Sequence, residues 1–249
     1  IGVTVFFIYR PQWGIVMLFM TGLLAPSPAL PGGLNFAALQ LGLLVGLWAL
    51  SLLVQRRDAL FVQSRPLRPL FGLLGVTVLA FAVGQLPWFA VPARASLEAQ
   101  IGGLLIFVLA IGAFLIVAHQ VQELRWLAWM TWLLIILGGI FAVGWVSPLG
   151  SITSRFFQVG ATANALFWTW LVAMSFSQAL FNETLYWHWR LLAGGICALS
   201  MYVAFVLQYD WKSAWLPPLV ALVAMLGVRS WRLGLLMVIG GFVPAQILS

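Results

Sequence analysis

Long apolar stretches alternate with short polar connections along the whole of this chain, and the lengths of those stretches predict its elements. Runs close to the roughly 20 residues needed to cross a hydrocarbon core of about 30 Å cover residues 35–54, 70–87, 101–118, 126–146, 161–181, 191–208 and 233–248. Shorter apolar segments cover 1–9, ending at Arg10-Pro11 where proline stops one helix and opens the next, and 12–25, closed by the proline-rich loop A-P-S-P-A-L-P-G-G. A further short helix carries Pro217 and Pro218. The alternating ten-residue segments of a membrane barrel are not seen, so the spanning element is the α-helix, which satisfies its own backbone in lipid. The expectation is an all-α, polytopic transmembrane helical bundle of nine or ten spans, with residues 1–249 forming a single domain without linkers or internal repeats.

Composition agrees with the pattern. The chain is 63% hydrophobic and 7% charged, whereas soluble domains are about a quarter charged. The net charge of +7 comes from cations spread over short loops, with no long basic patch, so orientation in a membrane accounts for it and nucleic acid is not an expected partner. Arg56, Arg57, Arg65 and Arg68 crowd one loop opposed by Asp58 alone, which places that loop on the cytoplasmic side. Alternation from it puts Arg10, Arg125, Arg190, Arg229 and Arg232 inside as well, and leaves Arg94, Arg155 and Lys212 outside. Many tryptophans fall near predicted helix ends, as in an interfacial belt. The chain opens at Ile1 within what reads as the end of a helix and stops at Ser249 as another helix reaches the opposite surface. Whether it is a whole polypeptide or a piece of a longer one is a question these two ends leave open.

The outward cations are the candidates for chemistry. Arg94, Arg155 and Lys212 run against the topological bias and lie near Gln158, Tyr209, Asp210 and Trp211 in the predicted outer loops. A guanidinium takes phosphate oxygens in pairs, and an ammonium adds a compact charge, so together they suit a diphosphate. The simpler alternative pairs each cation with a lipid headgroup or a nearby acid, Lys212 with Asp210 for example. Asn164, in the segment G-A-T-A-N, either caps the following helix or binds a sugar hydroxyl. His119 and His188 lie at predicted inner ends, where solvation accounts for them better than a haem or pigment does. Cys197, the lone cysteine, reads as packing, and Glu183 as a cap or a solvated group. The tryptophan face 126, 129 and 132 suits lipid or packing. No metal-ligating motif, P-loop or chain of intramembrane carboxylates is present, and neither metal nor cofactor is expected.

In order along the chain, Y-R-P-Q-W-G-I-V-M-L, the arginine-rich loop followed by P-L, H-Q-V-Q-E-L-R-W-L, S-R-F-F-Q-V-G-A-T-A-N-A-L and Y-D-W-K-S-A-W-L resemble the bacterial O-antigen ligase and O-antigen polymerase superfamily. The resemblance covers nearly the whole length and rests on the order of degenerate motifs. It implies a multi-pass protein of the bacterial cytoplasmic membrane that transfers or polymerises an undecaprenyl-diphosphate-linked glycan at the periplasmic face. It further implies that Arg155 and Lys212 bind the donor diphosphate; Arg94, Asn164 and Gln158 join them as substrate-binding candidates from their own positions in and beside the outer loops. Lys212 stands where the family commonly has arginine. The family's outer loop, with its functional histidine, would follow Ser249, so no catalytic base is assigned. Two other classes fit the composition: a non-catalytic subunit or pseudoenzyme packing with other membrane subunits, and a small-solute transporter, which the scarcity of charge within the spans disfavours.

Overall fold

The computed structural model describes residues 11–25, 35–54, 66–86, 96–121, 123–157, 159–230 and 232, and the described elements are helical throughout, with no strand among them. Helices α1 (Pro11–Leu24), α2 (Phe36–Val54), α3 (Leu67–Gly84), α4 (Leu97–Gln120) and α5 (Leu124–Val146) come first. Two short helices follow, α6 (Gly150–Phe156) and α7 (Val159–Thr162), then α8 (Ala165–Leu180), α9 (Trp187–Tyr202) with a π-helical continuation at Val203–Leu207, and α10 (Lys212–Arg229). Among the described residues, α3, α4, α5 and the run Trp187–Leu207 are long and apolar enough to cross a membrane, and α1, α2 and α8 are shorter apolar helices. These helices mark a membrane protein. The chain divides into two compact units, Ile1–Ala128 and Trp129–Ser249.

In the first unit α2 packs on α1 and α4, and α3 on α4. The helix starts are chemically marked. Pro11 occupies the first position of α1, where its missing N–H costs no helical bond. The Asn35 side chain accepts from Ala38 N at 2.8 Å, and Ser96 caps α4 by accepting from Ala99 N with Glu98 in the first turn. Gly112 lets α4 approach α2: a Cβ there would stand 2.6 Å from Val45 Cγ2. Leu67, Ile111 and Leu115 form a small core against Trp48, Leu70 and Leu74. Gln12 donates to Gln120 O at 3.2 Å, and Trp13 meets Trp126 edge-on at 5.4 Å, which ties the start of α1 to the end of α4 and to the first turn of α5.

In the second unit α8 packs against both α9 and α10. Its inner residues Leu171, Val172 and Ser175 are wholly buried, as are Ala193 of α9 and Val203 and Ala204 of the π segment. The glycines of α5 set the packing distance. A Cβ at Gly138 would lie 2.6 Å from Leu171 Cδ1, and one at Gly139 would lie 2.8 Å from Ile196 Cδ1. Ser175 turns its hydroxyl back onto Leu171 O at 2.6 Å, so a polar group sits inside without an open donor. At the end of α8, Arg190 Nε donates to Ala179 O at 2.9 Å and Arg229 Nη1 donates to Leu180 O at 3.3 Å. The last turn of α10 and the first of α9 are thereby fixed beside the C-terminus of α8.

Candidate functional site

That anchoring defines the opposite end of the second unit. Since α8 and α10 share a C-terminal end and have similar lengths of 16 and 18 residues, about 24 and 27 Å at ~1.5 Å per residue, their first residues lie together at the other end. Asn164 and Lys212 open these two helices. Phe141 of α5 brings α6 to the same place, through tilted and edge contacts with Phe157, Phe167 and Trp168 at centroid distances of 5.1, 5.7 and 6.0 Å.

Arg155 sits in the last turn of α6, where a cation complements the helix dipole. The helix is pinned on both sides of it. Thr153 packs against Gly144 and returns its hydroxyl to Gly150 O at 3.2 Å, while Phe157 is buried. Arg155 itself is exposed.

Asn164 has extended backbone and accepts from Leu166 N at 2.9 Å. Of the two roles open to it in sequence, its carbonyl oxygen takes the capping one, and its exposed amide nitrogen has no partner among the described residues. Lys212 is also exposed. It is the first residue of α10, whose first turn holds no acid. A cation at the positive end of a helix is unfavourably placed, and a bound anion would relieve this. The expected alternative, an ion pair with Asp210, is not formed. The contact between them is the backbone bond from Lys212 N to Asp210 O at 3.1 Å. The single ion pair among the described residues joins Arg125 to Glu123. The turn before α10 is held by Trp215, which donates from Nε1 to Tyr209 O at 3.0 Å and packs on Phe205 at 4.7 Å and Tyr209 at 6.3 Å.

Arg94 and Gln158 lie outside the described residues. Two groups that the sequence did not single out belong to this end. The Trp168 indole is 1% exposed with its Nε1 unpartnered, and Gln208, at the end of the π segment, has an unpartnered buried Oε1, in both cases among the described residues. An indole inside an apolar run gives no sequence signal of an open donor. The π segment comes from the register shift in which Gln208 N bonds Val203 O at 3.0 Å, and it too is invisible to apolar periodicity.

The remaining candidates are dispersed. His119 Nδ1 lies 2.8 Å from Leu115 O, and its ring lies 5.3 Å from Trp48. His188 stacks on Tyr186 at 5.7 Å. Trp126 packs on Trp13, Trp132 on Trp189 at 5.4 Å, and Trp129 is 65% exposed. No group of three or more His, Cys, Asp or Glu that could hold a metal ion occurs among the described residues. Comparisons with known protein families, curated proteins and solved structures return no match to this chain.

Proposed function

We propose that the chain is a glycosyltransferase of the O-antigen ligase or polymerase kind, or the amino-terminal membrane half of one, with nine or ten spans in a bacterial cytoplasmic membrane. On this reading Arg155 and Lys212 take the diphosphate of a polyisoprenyl-linked glycan at the outer face, and the free amide hydrogens of Asn164 assist. Arg94 and Gln158 remain candidates on the sequence alone. The observation that carries the reading is the end of the second unit where two exposed cations stand without a carboxylate within 4.0 Å among the described residues, one of them at the positive end of a helix. Such donors favour the charge that builds on a departing diphosphate. Arg155→Ala is expected to lower glycan transfer by about tenfold or more, while the protein stays in the membrane at wild-type levels. Transfer at the wild-type rate in membrane vesicles would refute the assignment.

A second reading, a non-catalytic subunit of a membrane complex, draws on α3, of which 6% is buried. It predicts the same membrane residence with no transfer by the wild-type protein and co-purification with another integral protein.

A further inference from the structure

The opposite end of the second unit carries a different arrangement. Two guanidiniums from separate helices converge on the C-terminal carbonyls of α8. Arg190 of α9 donates from Nε to Ala179 O at 2.9 Å and from Nη2 to Leu180 O at 3.5 Å; Arg229 of α10 donates from Nη1 to Leu180 O at 3.3 Å, with Cζ 5.5 Å over the Phe181 ring. The carbonyls at a helix C-terminus lack intrahelical partners and carry partial negative charge, which fixes the two arginines side by side. It does not neutralise them. Each guanidinium has five N–H donors, and more than half remain unused by these bonds on Arg190 and most on Arg229. Glu183, in the turn between α8 and α9, forms no ion pair with either.

Depth and surroundings identify what such a pair would meet. The run Trp187–Leu207 has 21 residues, about 31 Å of helix at ~1.5 Å per residue, which matches a hydrocarbon core of about 30 Å. Its first turn therefore lies at headgroup level. Tyr186 and Trp187 there are 75% and 72% exposed, as amphipathic rings at a membrane interface are. Exposed Leu191 and Val228 continue toward the apolar side and offer a surface for acyl chains.

We propose that Arg190 and Arg229 form a binding site for the phosphate of an anionic phospholipid, prepared by the α8 carbonyls that hold both side chains in place. The planar guanidinium fork takes phosphate oxygens in pairs, and fixing it in advance removes part of the ordering cost of binding. This site does not depend on the proposed transferase reading, because it uses neither Arg155 nor Lys212.

The test uses the full chain in nanodiscs of phosphatidylcholine alone or mixed with phosphatidylglycerol, read by retained lipid in native mass spectrometry and by thermal unfolding. The wild type is expected to retain phosphatidylglycerol about tenfold over phosphatidylcholine and to unfold at a higher temperature when it is present. Arg190→Gln/Arg229→Gln should lose both preferences. Arg229→Lys, which keeps the charge and a carbonyl donor for α8, should retain phosphatidylglycerol less well than the wild type while unfolding normally in phosphatidylcholine, and this variant serves if the double variant does not fold. Equal lipid retention by wild type and Arg229→Lys would overturn the proposal. So would inorganic phosphate reproducing the thermal shift in phosphatidylcholine, which would make the site one for a free anion.

Discussion

Gly138 and Gly46 show how differently two glycines in apolar helices can behave. A Cβ at Gly138 would meet the side chain of Leu171, which is wholly buried and has no room to withdraw; around Gly46 nothing lies within 4 Å. Gly138→Ala is therefore expected to destabilise the second unit by about 1–3 kcal/mol. Gly46→Ala should be neutral or stabilise α2 by up to ~1 kcal/mol. Thermal unfolding of both variants in the same detergent checks the contrast. The G-x-x-x-G spacing of Gly42 and Gly46 in α2 is a close-approach pattern in sequence, but the tightest approaches to neighbouring side chains are made by Gly112, Gly138, Gly139 and Gly144. Spacing shows that a helix has a small face, and only packing decides whether that face meets a neighbour. The same limit applies to the candidate site: the sign of Arg155 and Lys212 was legible from sequence, while the missing Lys212–Asp210 ion pair and the open Trp168 indole depend on side-chain positions.

At the scale of elements, apolar run length located the long helices to within a few residues, because lipid-spanning helices end where the apolar composition ends. It misread local breaks. The predicted span 161–181 is interrupted at Ala163, and α8 starts after Asn164 because that side chain captures the Leu166 N–H. The predicted outer loop 147–160 holds α6, whose short length leaves no periodic signal. In α10, Pro217 and Pro218 supply no N–H to the carbonyls of Ser213 and Ala214, so the first turn depends on the Trp215 contacts and bears Lys212 at its positive end. Replacing that cation should help the helix and harm the proposed ligand. Lys212→Glu is expected to raise stability by a few tenths of a kcal/mol and to lower glycan transfer by about tenfold or more. A variant more stable and equally active would leave Lys212 without a role in binding. Unfolding and transfer measured on one preparation distinguish these outcomes.

For the whole molecule, composition and hydropathy made the membrane legible at once. They did not reveal the division at Ala128 and Trp129, which falls inside α5, because no change of composition marks it. The bracing of α8 also has a consequence for the order in which the protein is made. Leu180 O is reached by Arg190, ten residues later, and by Arg229, 49 residues later. A nascent chain that has placed α8 and α9 in the membrane still lacks the Arg229 contact until that residue has left the ribosome and α10 has joined them. Stalled chains in which Arg229 is still within the ribosome should therefore be cut by added protease in the 181–186 turn more readily than chains in which it has emerged. One brace of α8 is thus timed by the arrival of a residue two helices away.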